Sequence, residues 1–244
     1  MSLLRGQEQR TAGQSGCAQP DAGDYLPGIS FKKIMNQSTY PAIMNLSRHR
    51  IGTDGNGVVT LVPFWGCPLH CKYCINDFCH DEAQKPFELS PEELYEKLKA
   101  DDIYFRMSGG GVVFGGGEPL LHPEYIADAV KLFPSGWSAR IETSLYISDI
   151  ERLKPLISRI DQWIVDIKDT NPAIYRSYTG KDNNIVLRNL SRLSEWAGKE
   201  RLLIRIPRIP GYNDQRAIEA SVERVGSLGT VDVFNYKVLN GEEV

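Results

Sequence analysis

From residue 58 onward, short apolar runs alternate with longer stretches in which apolar residues recur at helical spacing. The runs cover residues 58–65, 112–114, 139–141, 163–167, 202–206 and 231–234. They are nearly continuous rather than alternating, the pattern of strands buried on both faces of a parallel sheet. Ser90-Pro91-Glu92-Glu93 predicts a helix opened by a capping box and a first-turn proline, with Leu94 and Leu98 on its buried side. Ile126, Ala129, Val130 and Phe133 predict a second helix, Val186, Leu190, Leu193 and Ala197 a third, and Ile218, Val222 and Val225 a fourth. Ile150, Leu153 and Ile157 give a weaker stripe interrupted by Pro155. At roughly 30 residues per strand-helix unit, six units fit after Gly57 and eight do not. This spacing predicts an α/β fold, either a partial barrel or an open sheet.

Residues 1–50 read differently: they are rich in Gln, Ser, Gly and Asn and carry no sustained periodicity. They are expected to form an irregular N-terminal extension, disordered over about the first twenty residues. Residues 51–244 are expected to form the main domain. The 244 residues are 41% hydrophobic and 24% charged, which suits a buried core and excludes a disordered or collagenous chain. A net charge of -3 provides no general pull toward nucleic acid or an anionic membrane. No apolar run approaches the roughly 20 residues of a membrane span, and the N-terminus lacks the apolar core of a secretory signal.

Four of the five cysteines, Cys67, Cys71, Cys74 and Cys79, crowd into one short stretch, with Cys17 apart as an expected free surface thiol. Such clustering without an export signal points to metal ligation in a reducing, cytoplasmic compartment rather than to disulfides. Cys67, Cys71 and Cys74 follow the first strand on a Gly- and Pro-containing loop, at the strand end where α/β proteins build their sites. Two centres are compatible with these thiols: zinc, with His70, Cys79 or His80 as fourth ligand, or an iron-sulfur cluster held by three thiolates with one iron open.

The spacing Cys67-x3-Cys71-x2-Cys74, with Tyr73 before the last cysteine, resembles the signature of radical S-adenosylmethionine (SAM) enzymes. The resemblance implies a partial (β/α)6 barrel, a 4Fe-4S cluster on the three cysteines, and SAM bound beside it. The later motifs resemble the glycyl-radical-enzyme activases, the pyruvate formate-lyase activase group. Gly115-Gly116-Gly117-Glu118 is similar to the segment that binds the amino group of SAM, with Glu118 as acceptor. Thr143 and Ser144 are implied ribose or carboxylate contacts. Asp166-x-Lys168 is similar to an Asp-x-Lys pair that interacts with SAM. In those activases the Asp joins a strand-three residue, here Glu142, in a monovalent-cation site. Arg205 begins a stretch similar to the activases' Arg-x4-Pro-Gly and is the implied SAM carboxylate contact. Gly52 to Gly57 resembles their glycine-rich leader, with Asn56 in place of its proline. After the last strand, Tyr236-Lys237 stands where a Tyr-His pair and a longer tail are common.

The function implied is reductive cleavage of SAM to a 5′-deoxyadenosyl radical that abstracts hydrogen, with a glycyl radical enzyme as protein substrate and a flavodoxin- or ferredoxin-type electron donor. Two other readings are compatible with the residues: a radical SAM enzyme acting on a small molecule, as deazapurine synthases do, and a non-enzymatic zinc module.

Overall fold

The computed structural model describes residues 40–236. Cys17 and the tail from Lys237 onward lie outside the described residues. Six parallel strands follow one another in chain order: β2 (Val58–Phe64), β3 (Gly111–Gly116), β4 (Ser138–Thr143), β5 (Gln162–Asp166), β6 (Leu202–Arg208) and β7 (Thr230–Asn235). These are the six strands that the apolar runs predict. A seventh strand, β1 (Ser47–Ile51), pairs antiparallel to β2 at the sheet edge. It crosses the expected boundary between extension and domain, so the sheet begins earlier than the periodicity suggests.

The helices are α1 (Pro91–Leu98), α2 (Asp102–Ser108), α3 (Pro123–Lys131), α4 (Pro172–Thr179), α5 (Asn184–Ala197) and α6 (Gln215–Val225). Ser90 and Glu93 form the predicted capping box at the start of α1. The weak stripe around Leu153 forms a 3-10 helix, Ile150–Leu156, with Pro155 inside it. Proline cannot donate the bond that an α-helical ladder needs there. A sheet whose strands never reverse order, joined by right-handed crossovers, collects its helices on one face and curls the other inward. On the helix face Phe64, Phe114, Ile141, Val165, Ile204 and Ile206 are buried in one continuous core.

The inner face is polar near its lower end. Arg140, almost fully buried, donates to the backbone carbonyls of Asp54 (3.1 Å) and Asn56 (2.7 Å). Asp54 is buried as well and pairs with Arg50. The turn from β1 to β2, which contains the glycine-rich leader, therefore packs against the start of β4. Gly55 has φ +102°, and a Cβ there would lie 2.6 Å from Arg140 Nη1, whereas Gly52 has φ +73° and open space around it. Gly52→Ala is expected to destabilise the protein by about 1–2 kcal/mol through backbone strain alone. Gly55→Ala should cost a further 1–3 kcal/mol through displacement of Arg140, the two variants being compared by denaturant unfolding.

Candidate active site

The site lies at the C-terminal ends of the parallel strands. Asp166 stands opposite Arg205 in the β5–β6 register, and Glu142 stands opposite Ile164, two residues before Asp166. Side chains two apart on a strand share a face, so Glu142, Asp166 and Arg205 meet on the inner one. Arg205 Nε donates to Asp166 Oδ1 at 2.7 Å, and its Nη2 pairs with Glu142 Oε1. Lys168 Nζ donates to Asp166 Oδ2 at 2.9 Å. The guanidinium also lies over the Phe234 ring, 5.6 Å from its centroid.

The charges are strongly coupled. Burial would raise the pKa of Asp166, but Lys168 and then Arg205 outweigh it and hold the carboxyl well below its usual range. Burial raises Glu142, and the charge of Arg205 offsets this only in part. Burial opposes the charge on Lys168 and Arg205, but Asp166 together with Cys71 and Tyr236 for the first, and Asp166 together with Glu142 for the second, outweighs it and holds both charged. Arg205 Nη1 has no hydrogen bond among the described residues, and Lys168 makes one of the three its ammonium can donate. The network thus keeps donors available to an incoming carboxylate.

The three glycines do two jobs. Gly115 faces inward beside Glu142, whose Cβ would lie 3.3 Å from an added methyl, so its missing side chain opens the inner face. Gly116 and Gly117 allow backbone to meet backbone. Gly117 N–H donates to Phe64 O at 2.9 Å, Glu118 N–H donates to Gly66 O at 2.8 Å, and Asn76 Nδ2 donates to Gly116 O at 3.0 Å. A Cβ on Gly117 would overlap the Gly66 carbonyl. This close approach is toward the cysteine loop.

Glu118, the implied ammonium acceptor, is engaged within the protein. The side chain is fully buried and accepts from Leu120 N–H (3.1 Å), Thr143 Oγ1 (2.6 Å), Ser144 N–H (3.0 Å) and Ser144 Oγ (2.5 Å). A carboxylate has about four acceptor sites, and these bonds fill them. Burial still raises its pKa against those four donors. Glu118, Thr143 and Ser144 therefore tie the end of β4 to the turn after β3 and shape the rim between them.

Cys67, Cys71 and Cys74 are free, half-buried thiols on the loop after β2. Burial, then the nearby charge of Glu118, pushes the Cys67 thiol up to about 12, and burial raises Cys71 against the opposing charge of Lys168. Lys168 thus connects the thiols to the buried charges. Three soft donors on one loop are the set that an iron-sulfur group takes. Cys79 turns away into a small apolar cluster with Ala42, Met44 and Trp65, where Cys67 packs against it. His70 stacks on His80 with centroids 4.0 Å apart. Among the described residues no three His, Cys, Asp or Glu side chains gather as one ion would require.

Tyr73 sits beneath the loop, donating to Pro210 O at 3.3 Å and packing on Tyr178, Tyr212 and Tyr236. The sequence reading missed Tyr178 and Tyr212. The signal for Tyr178 was weak, because α4 has only a short buried stripe of Tyr175 and Tyr178, and Tyr212 lies in the turn after β6, outside any periodic element.

Residues 61–221 match the Radical SAM superfamily. The chain belongs to the radical SAM superfamily. This radical SAM chain is 29% identical to the (2S)-3-sulfopropanediol dehydratase activating enzyme of Klebsiella oxytoca, across 86% of each chain. It is 31% identical to the benzylsuccinate synthase activating enzyme of Thauera aromatica, across 80% of this chain and 78% of that one. It is 40% identical to the pyruvate formate-lyase-activating enzyme of Clostridium pasteurianum over 52% of this chain, spanning about half (53%) of that enzyme. The structure of Streptococcus suis SuiB bound to S-adenosylmethionine shares the fold, with a TM-score of 0.59 at 15% identity across 75% of this chain and 41% of that one. The family implies a 4Fe-4S cluster and SAM, and the three free thiols, with the unengaged donors of Arg205 and Lys168 at the same end of the sheet, fit both. No helix of the described residues is long and apolar enough to cross a membrane.

Arg205→Leu leaves Glu142 and Asp166 together with one cation and is expected to cost about 3 kcal/mol. Without the guanidinium Glu142, already raised by burial, rises further above its unfolded value, and the folded state then binds protons more tightly than the unfolded one. The deficit against the parent should therefore shrink as pH falls from 8 to 5.5 in denaturant titrations.

Proposed function

We propose that this radical SAM enzyme is an activase that generates a glycyl radical on a partner polypeptide. The cluster and SAM, when bound, supply a 5′-deoxyadenosyl radical that abstracts hydrogen. The protein's residues bind, orient and exclude water. Cys67, Cys71 and Cys74 hold the cluster. Arg205 and Lys168 bind the carboxylate of SAM, and Asp166 keeps both cations aimed inward. Gly115 leaves room beside them, while Tyr73, Gly116, Gly117, Thr143 and Ser144 form the surrounding rim that Glu118 shapes. The observation that carries this reading is the juxtaposition of the cysteine loop with the Glu142, Arg205, Asp166 and Lys168 network at one end of the sheet. Similarity to three activating enzymes supports a protein as the substrate. The reading includes a cytoplasmic location and a flavodoxin- or ferredoxin-type electron donor.

Iron and sulfide reconstitution under anaerobic conditions, followed by dithionite and SAM, should yield 5′-deoxyadenosine, and Cys71→Ala should abolish it. A co-expressed glycyl radical enzyme should then show a glycyl radical by electron paramagnetic resonance. Product without that radical would reject the activase reading in favour of a small-molecule substrate.

Arg205 stands between Glu142 and Asp166, and both Asp166 oxygens already accept from Arg205 and Lys168. These residues do not fit the monovalent cation that the activase resemblance implies; in this reading the guanidinium takes its position. SAM affinity measured by equilibrium dialysis is therefore expected to be the same in potassium, sodium and tetramethylammonium salts of equal ionic strength. A tenfold gain in potassium would assign the position to the metal ion.

A further inference from the structure

We infer that Tyr236 is a positioning residue that fixes the arm of the cysteine loop carrying Cys74. The inference rests on the reading of Cys67, Cys71 and Cys74 as cluster ligands. The loop has little regular structure of its own and relies on neighbours. His70 N–H donates to Thr179 O at 3.3 Å and Lys72 N–H to Tyr178 O at 3.1 Å, which seats its middle on the C-terminal turn of α4. The next peptide, joining Tyr73 to Cys74, is held at both ends. Its N–H, on Cys74, donates to Cys71 O at 3.1 Å. Its carbonyl, on Tyr73, accepts from the Tyr236 hydroxyl at 2.8 Å, across 163 residues of chain.

Tyr236 is itself held. It follows β7, its N–H donates to Arg208 O at 3.1 Å, and its ring lies 6.3 Å from Tyr178 and 6.4 Å from Tyr73. Tyr212 completes the knot at 5.1 Å from Tyr178 and 5.7 Å from Tyr73. Four elements distant in sequence converge below the loop, and one hydroxyl bonds to its backbone beside a thiol. With that bond in place the peptide plane cannot rotate, and the direction in which Cys74 leaves the loop is set. Without it the Tyr73 carbonyl loses its donor and the arm gains freedom.

The test compares Tyr236→Phe with Tyr212→Phe, each of which removes one hydroxyl and keeps the ring. The Tyr212 hydroxyl makes no hydrogen bond among the described residues, so Tyr212→Phe controls for the loss of a hydroxyl from the knot. After anaerobic reconstitution, both variants and the parent are expected to hold similar iron. Release of that iron to a chelator should be about fivefold faster in Tyr236→Phe and unchanged in Tyr212→Phe. Melting of the metal-free Tyr236→Phe protein should fall by no more than the few degrees that one lost hydrogen bond accounts for. The Cys74 amide of that metal-free protein should exchange faster than in the parent, a readout independent of the cluster. Parent-like iron release from Tyr236→Phe, or equal acceleration in Tyr212→Phe, would overturn the inference. A parent protein that retains no iron would instead overturn the cluster reading, and this inference with it.

Discussion

A guanidinium held between two carboxylates sets the geometry of this site. Arg205 bonds Asp166 on the neighbouring strand and Glu142 one strand further, so β4, β5 and β6 are locked in one register. A slip of one residue would turn any of these side chains to the helix face, among the aliphatic residues of the core. An unpaired charge there would cost several kcal/mol, so the network specifies the register as strongly as the apolar pattern does. Lys168 in turn donates to Asp166, at the end of the sheet where the cysteine loop lies.

The loop is positioned by backbone contacts together with a few side-chain donors, Asn76 and Tyr236 among them. Gly66 accepts from Glu118 N–H, Gly116 accepts from Asn76, and the last carbonyls of α4 accept the amides of His70 and Lys72. Helix C-termini leave carbonyls without intrahelical donors, and here two loop amides satisfy them. A segment that carries three thiols thereby gains rigidity without a strand or helix of its own.

The strands were legible because each carries a short apolar run, nearly continuous in β2, β3 and β5, and the longer helices because their stripes recur over two turns or more. What escaped the periodicity is short or polar. β1 reads Ser-Arg-His-Arg-Ile, and its place in the sheet follows from pairing with β2 and from Arg48 reaching the buried Asp101. α4 buries little, yet Asn171 caps it, Pro172 opens it and Gly180 closes it in a left-handed conformation, all local signals present in the sequence. The cysteine motif and the Asp-x-Lys pair were legible from spacing and resemblance. The four donors around Glu118 were not, since they come from residues up to 26 positions away and no local pattern announces them. The Tyr236 bond spans 163 positions, and only a folded chain can reveal it.

The distribution of charge over the inner face bears on what enters the site. Arg50, Arg140, Lys168 and Arg205 share the inner face with Asp54, Glu142, Asp166 and Asp232, the last standing opposite Arg205 in the β6–β7 register, so these charges balance. Arg140 bonds backbone carbonyls at the lower end and Arg50 bonds Asp54, so neither has a donor directed at the rim. The donors not already engaged belong to Arg205 and Lys168, at the upper end, where the thiols lie. An anionic group approaching from that end meets fixed donors whose orientation the two carboxylates have already determined, and its binding requires no rearrangement of the sheet. The carboxylates thus orient the guanidinium without engaging its Nη1, and Lys168 keeps two of its three donors unengaged among the described residues.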